Sequence, residues 1–250
     1  MPEVISQDGT TIVYDRSGAG PALILIDGAM CHRSAGPMQA LATLLTDHFT
    51  VYTYDRRGRG ESGDTAPYAP EREAEDVQAL IAEAGGTAYL YAMSSGGAVA
   101  LRTPGAAGVV LYEPPFGLGS REYTDRLREL LAAGSNGDAV ALFMRNVGVP
   151  EPVVTGMRNQ PGFASVEAIA PTLAYDDELL TEMPADQGVP LLVVSGSASP
   201  ESLQKAARMT AEAFPGADHR TLEGQTHDVQ PAALAPVLID FLRNAGAGPR

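Results

Sequence analysis

Short apolar runs alternate along the chain with segments in which apolar residues recur at helical spacing. Most of the runs are continuous rather than alternating with polar residues, which is typical of strands that helices cover on both faces. We therefore predict an α/β fold with a mainly parallel sheet and helices on both faces. The predicted strands are a hairpin over residues 3–15 that turns at Asp8-Gly9, then Ala22–Ile26, Thr50–Tyr54, Ala88–Ala92, Gly108–Tyr112, Pro190–Ser195 and His219–Leu222.

Helical spacing is clearest in two segments of this alternating pattern. One helix is predicted after Pro70 and ends at Gly85-Gly86, because glycine readily terminates a helix. The apolar residues that define it are Val77, Leu80, Ile81 and Ala84. A second helix near the end of the chain has Leu234, Val237, Leu238 and Phe241 on one face. We predict a frayed tail over residues 245–250.

Residues 114–187 interrupt the alternation, because they contain helical patches and no convincing strand. The predicted helices cover residues 122–132, 138–146, 152–158 and 166–180. Ordinary crossover helices are the alternative, but a typical crossover is much shorter than this interval. Since the sheet pattern resumes at Pro190, we predict a helical lid at 114–187, inserted between two late strands of a core formed by residues 1–113 and 188–250.

The most informative segment for chemistry runs from Ala88 to Leu101, where a β-prone run stops at a serine and resumes as a helix of small residues. A sharp strand-turn-helix presents a nucleophile when the residues two before and two after it are small. Ala92 and Gly96 satisfy this requirement around Ser94, whereas centring the turn on Ser95 would place Met93 at a crowded position. Ser94 is therefore the candidate nucleophile, and a Ser/Gly-rich loop without catalysis is the alternative.

Composition excludes several classes of function. The net charge of −14 and the absence of a basic block argue against binding to nucleic acid. One cysteine, Cys31, excludes an internal disulfide, and we see neither a leader nor an eighteen-residue apolar run. We therefore expect a cytoplasmic protein without a membrane segment. The four histidines lack ligand spacing, so we expect no metal and no cofactor.

Three further segments accompany the one around Ser94: Leu25–Met30, which ends a strand, Asp55–Asp64 after the next strand, and Gly224–His227 after the last strand. In this order the four segments resemble the α/β-hydrolase superfamily from about Val4 to Phe241. The Asp-Arg-Arg-Gly-Arg-Gly-Glu-Ser-Gly-Asp stretch is especially similar to the small bacterial serine hydrolases with helical lids.

The resemblance implies a catalytic triad of Ser94 as nucleophile, His227 as general base and an acid. A serine hydroxyl is too weakly acidic to attack unaided, so an imidazole must take its proton. Most relatives have an aspartate where this chain has Ser199, but some place the acid after the preceding strand, where Glu113 stands. We predict Glu113, with a structural strand-end role as its alternative. Glu201 and Asp228 are weaker candidates.

The resemblance also implies an oxyanion hole built from the backbone N–H groups of Ala29 and Ser95. The loop here begins Asp27-Gly28, where relatives usually have His-Gly. A carboxylate at this place would oppose the developing charge unless it points away, pairs with an arginine or is protonated by burial. We expect Asp27 to bond the amides of its own turn. The residues expected to contact substrate are Met30, His32, Met93 and Tyr175.

A serine nucleophile argues against the dehalogenase and epoxide-hydrolase branches of the superfamily, which use an aspartate. The resemblance therefore implies hydrolysis of a small carboxylic ester or lactone through an acyl-serine intermediate. Two alternatives remain open: a non-hydrolytic cyclase or lyase of a biosynthetic pathway that reuses the pocket, and a binding protein of this fold without catalysis.

Overall fold

The computed structural model describes residues 1–245, in which eight strands form one sheet in the order β1-β2-β4-β3-β5-β6-β7-β8. The strands are β1 (Glu3–Ile5), β2 (Thr11–Gly18), β3 (Ala22–Ile26), β4 (Thr50–Tyr54), β5 (Ala88–Met93), β6 (Ala106–Tyr112), β7 (Leu191–Gly196) and β8 (Asp218–Leu222). Strand β2 runs antiparallel to both of its neighbours, and the pairs from β4 to β8 are parallel. The predicted mainly parallel α/β sheet is confirmed.

Helices connect the strands and cover the sheet. They are α1 (Met38–Leu45), α2 (Pro70–Glu83), α3 (Gly96–Arg102), α4 (Arg121–Ala132), α5 (Asn136–Asn146), α6 (Glu151–Arg158), α7 (Phe163–Ala168), α8 (Leu173–Leu179), α9 (Glu201–Ala213) and α10 (Pro231–Ala245). Helix α1 was not predicted from the sequence, although four of its residues at helical spacing are buried against the sheet. None of the helices in residues 1–245 combines the length and the apolarity that crossing a bilayer requires.

Both faces of the sheet are buried, as the continuous apolar runs predict. Strand β3 shows why: Ile24 and Ile26 pack into one core cluster with α2, α3 and α9, while Leu23 and Leu25 pack into the other with α1 and α10. Successive side chains of a strand point to opposite faces, so a strand covered on both sides must be apolar at every position.

The segment between β6 and β7 contains five helices and no strand, and we call residues 114–187 the helical insertion. Its residues Leu127, Leu130, Ala139 and Leu173 form a separate apolar cluster, against which Ala29 and Met30 of the core pack. The single helix predicted over 166–180 is wrong. Proline cannot donate to the helical ladder, and Pro171 lies in a short 3₁₀ segment that separates α7 from α8. The role of the insertion as a lid stays a prediction. The predicted frayed tail lies, after Ala245, outside the described residues.

Candidate active site

Ser94 occupies a sharp turn between β5 and α3, with a left-handed φ of 52°. Its N–H donates to the Tyr112 carbonyl at 2.9 Å, which fixes the turn to the neighbouring strand β6. The position two residues later has no room for a side chain, since a Cβ added to Gly96 would lie 2.6 Å from the Asp27 carbonyl oxygen. The turn therefore holds Ser94 at the carboxyl end of the sheet in the strained backbone conformation that the sequence pattern predicts.

Glu113 and His227 meet at the carboxyl end of β6. Glu113 Oε2 lies 2.7 Å from His227 Nδ1, and Glu113 Oε1 accepts the Gly196 N–H at 2.8 Å. The Glu113 side chain is fully buried, whereas that of His227 is 37% exposed. Because both carboxylate oxygens are engaged, the carboxylate is fixed, and the bond to Nδ1 leaves Nε2 of the exposed ring available for proton transfer.

Other groups near the histidine loop hold that loop in place without replacing Glu113. The Tyr112 hydroxyl donates to the Thr226 carbonyl at 2.6 Å, immediately before His227. Within residues 1–245, the imidazole of His227 makes no hydrogen bond to Ser199, which stands where most relatives have the acid, or to the two weaker candidates Glu201 and Asp228.

Ser94 and the Glu113–His227 pair lie at adjoining strand ends. The Ser94 N–H bonds to Tyr112, the residue that directly precedes Glu113. In residues 1–245 no hydrogen bond joins Ser94 Oγ to His227. Hydrogen bonds of this kind are often long in the absence of substrate and shorten when it binds.

The loop that follows β3 passes directly beside the serine. A Cβ added to Gly28 would lie 3.0 Å from Ser94 Cβ, so only glycine permits this approach. Within the described part of the chain, neither the Ala29 N–H nor the Ser95 N–H has an acceptor. An oxyanion hole requires unengaged backbone donors close to the nucleophile, and these two N–H groups stay the predicted donors.

Backbone strain is concentrated at this site. Of the non-glycine residues in 1–245, three have a positive φ: Met30 at 60°, Ser94 at 52° and Glu113 at 46°. Such conformations cost energy and persist where the surrounding structure enforces them. All three residues belong to the site that the sequence analysis outlined, on three different strand ends.

The surroundings of Asp27 differ from the expectation that its carboxyl group bonds the amides of its own turn. Its side chain is 3% exposed, Oδ1 has no hydrogen-bond partner among residues 1–245, and Oδ2 lies against Gly36, where an added Cβ would be 3.1 Å away. The expectation is wrong because no amide of the turn donates to the carboxyl group, which is buried beneath the loop that carries Gly36. Burial raises the pKa of Asp27 to about 7, against the opposing influence of Arg59 and Arg56.

We expect the Asp27→Asn variant to differ from the wild type in the pH dependence of its stability. The folded-state pKa of Asp27, about 7, exceeds the ordinary 3.8, so the folded state retains this proton and loses stability as the pH rises from about 4 to 8. Relative to wild type, the variant should gain up to roughly 4 kcal/mol in free energy of unfolding across this range. Urea denaturation at pH 4, 6 and 8 measures the gain. The exposed Asp47→Asn serves as control, and a gain independent of pH would contradict the assignment.

Two arginines of the segment after β4 contact the loop beside Ser94. Arg56 donates to the Asp27 carbonyl at 3.2 Å, and Arg59 donates to the Gly28 carbonyl at 2.6 Å. Both also bind Asp176 of α8, which the sequence analysis missed. The available signal was the three arginines at 56, 57 and 59 directly after a buried strand, because buried guanidinium groups require buried carboxylates.

The four residues that were predicted to contact substrate lie in different surroundings. Met30 packs against the apolar cluster of the helical insertion. His32 lies in a turn with Ala35, and its Nδ1 is 3.1 Å from Ser34 Oγ. Met93 packs against the core cluster that contains α1 and α10.

Tyr175, the fourth, stacks on Tyr68 with ring centroids 3.8 Å apart and donates its hydroxyl to Asp64 at 2.8 Å. Of the four residues, Met30 is thus the one that joins the loop beside Ser94 to the helical insertion.

Comparison with known proteins places these observations in a family. Residues 17–237 match the alpha/beta hydrolase family. An alpha/beta hydrolase from Sphaerobacter thermophilus DSM 20745 is similar to this chain, with 42% identity and a TM-score of 0.86 over 96% of this chain and 99% of that one. A thermophilic esterase from Thermogutta terrifontis has 22% identity and a TM-score of 0.72 over 98% of each chain, which shows a shared fold. An uncharacterized hydrolase of Bacillus subtilis (strain 168) is 32% identical over 97 residues, 37% of this chain and 35% of that protein.

Proposed function

This chain belongs to the alpha/beta hydrolase family, and from that premise we propose that it is a serine hydrolase of small carboxylic esters or lactones. The observation that carries the proposal is the meeting of three strand ends. A strained serine and a fixed carboxylate–imidazole pair lie at adjoining strand ends, and two unengaged backbone N–H groups belong to Ser95, directly after the serine, and to Ala29 in the loop beside it.

In the first step the Ser94 hydroxyl attacks the substrate carbonyl carbon and gives its proton to His227 Nε2. The imidazole becomes positively charged, and Glu113, bonded to Nδ1 at 2.7 Å, stabilises that charge and holds the ring in the required tautomer. A carboxylate that is already fixed by the Gly196 N–H needs no rearrangement when the charge appears.

The carbonyl oxygen acquires negative charge in the tetrahedral intermediate, where the N–H groups of Ala29 and Ser95 donate to it. Ser95 directly precedes helix α3, so the aligned peptide dipoles of that helix also favour negative charge there. Collapse of the intermediate breaks the bond to the alcohol oxygen, which takes the proton from His227. An ester of Ser94 with the acyl group remains.

Water then completes the reaction. His227 removes a proton from water, the hydroxide adds to the acyl carbon, and the second intermediate releases the carboxylic acid as Ser94 regains its proton. The apolar cluster of the helical insertion reaches Ala29 and Met30, which supports an apolar acyl group next to the oxyanion hole. Esterases among the structural neighbours agree with this reaction class.

A fluorophosphonate probe tests the proposed function. We expect stoichiometric labelling at Ser94, located by mass spectrometry of the digested protein, because the probe reacts with activated serines and its product resembles the tetrahedral intermediate. Labelling should be lost in His227→Ala, which removes the base but keeps the nucleophile. An unlabelled, folded wild-type protein would contradict acyl transfer and favour a non-hydrolytic enzyme or a binding protein.

A further inference from the structure

One carboxylate of the helical insertion lies beneath the site just described. Asp176, on α8, is 4% exposed and accepts hydrogen bonds from three side chains of the core. Ser95 Oγ donates to its Oδ1 at 2.7 Å, Arg56 donates to the same oxygen at 2.9 Å, and Arg59 donates to Oδ2 at 2.7 Å. Although burial opposes ionisation, Arg59 and Arg56 hold the pKa of Asp176 below its ordinary value, so the carboxylate is charged.

The partners of Asp176 continue to the loop beside Ser94. Arg59 donates a second hydrogen bond, at 2.6 Å, to the carbonyl of Gly28. That carbonyl and the Ala29 N–H belong to one planar peptide unit, so a guanidinium that fixes the carbonyl also fixes the direction of the N–H. A charged donor on the carbonyl further polarises the peptide and strengthens the N–H on its other side.

Asp176 also binds the residue that carries the second backbone donor. Ser95, whose N–H is the other proposed oxyanion contact, is tied to Asp176 through its side chain. One carboxylate therefore binds the residue that carries one donor and the arginine that aligns the other. A salt bridge that only attached the helical insertion to the core would not need to bind both Ser95 and Arg59.

We propose that Asp176 is a positioning residue for the oxyanion site: through Arg59 and Ser95 it aligns the N–H groups of Ala29 and Ser95 toward the same point. The inference rests on the proposed function. It assigns the helical insertion a part in catalysis, because α8 supplies the group that organises donors on two core segments.

The matched control lies in the same arginine-rich segment. Arg57 binds Asp76 of α2 with two hydrogen bonds of 2.8 and 2.7 Å, and Asp76 is 1% exposed. Arg57 makes no hydrogen bond to the loop of residues 27–30 within the described chain. Asp76→Asn thus disrupts an equally buried ion pair without touching the alignment of the two donors.

The test compares Asp176→Asn with Asp76→Asn in hydrolysis of a p-nitrophenyl ester. Each kcat is divided by the fraction of protein that a fluorophosphonate labels at Ser94, so loss of folded protein does not count as loss of catalysis. We expect kcat per labelled site to fall about 100-fold in Asp176→Asn, since misdirecting oxyanion donors has costs of this order. KM should stay within about threefold, because the contact strengthens only in the transition state. Asp76→Asn should change kcat per labelled site by less than about threefold.

Each further outcome has a defined meaning. Wild-type turnover per labelled site in Asp176→Asn, or an equal fall in Asp76→Asn, overturns the positioning role and leaves the proposed function intact. An unlabelled wild-type protein overturns both. If Asp176→Asn does not fold, Ser95→Ala decides: it keeps the N–H and removes one bond to Asp176, so a fall in kcat of about fivefold supports the role and an unchanged kcat rejects it.

Discussion

Replacing Ser94 by alanine should lower kcat for an ester substrate by about ten-thousand-fold or more, while the protein stays folded. The variant removes the atom that forms the acyl-enzyme, so only binding and oxyanion stabilisation remain, and in a well-studied serine protease loss of the nucleophile costs about a million-fold. Alanine also tolerates the φ of 52° no worse than serine does. The measurement is steady-state hydrolysis of a p-nitrophenyl ester, with thermal unfolding to verify the fold.

The chain offers a matched control for this substitution. Ser195, near the end of β7, is fully buried, and its Oγ lies 3.1 Å from His219 Nε2, so the same sheet also carries a serine–histidine pair that the proposed function does not use. It has no carboxylate partner and no adjoining backbone donors in the described structure. Ser195→Ala should keep kcat within about threefold of wild type. Retained activity in Ser94→Ala, or equal losses in both variants, would refute the nucleophile assignment.

The second large effect is expected for Glu113→Gln, with a fall in kcat of about ten-thousand-fold. Glutamine fills the same space and can still accept the Gly196 N–H through its carbonyl oxygen. Its amide group would then face His227 Nδ1 as a donor, which favours the wrong imidazole tautomer and leaves the imidazolium without a counter-charge. Loss of the equivalent carboxylate costs about this factor in the best-studied serine protease.

Ser199→Ala is the control for Glu113→Gln, because Ser199 occupies the position where most relatives carry the acid. The structure shows no hydrogen bond from His227 to Ser199 within residues 1–245, so kcat should change by less than about threefold. Both variants are measured as kcat and as rate of fluorophosphonate labelling. A loss under about threefold in Glu113→Gln would reject Glu113 as the acid, and a large loss in Ser199→Ala would reopen the choice.

The sequence could predict the sheet because its signal is local. A strand covered on both faces is apolar at nearly every position, and a serine turn between strand and helix requires small residues at fixed offsets. These rules located seven of the strands closely and centred the turn on Ser94. The same local reading failed at 166–180, where it did not give enough weight to the missing donor of Pro171.

What only the tertiary structure decided is which distant polar groups meet. Four residues could have been the partner of His227, and only the packed structure shows that Glu113 is the one whose carboxylate lies 2.7 Å from its ring. Likewise, Asp176 lies in a short amphipathic helix whose sequence gives no sign that its carboxylate would bind two arginines and Ser95. Periodicity records which face of an element is buried, but a hydrogen bond depends on positions and directions that are set only when separate elements pack together.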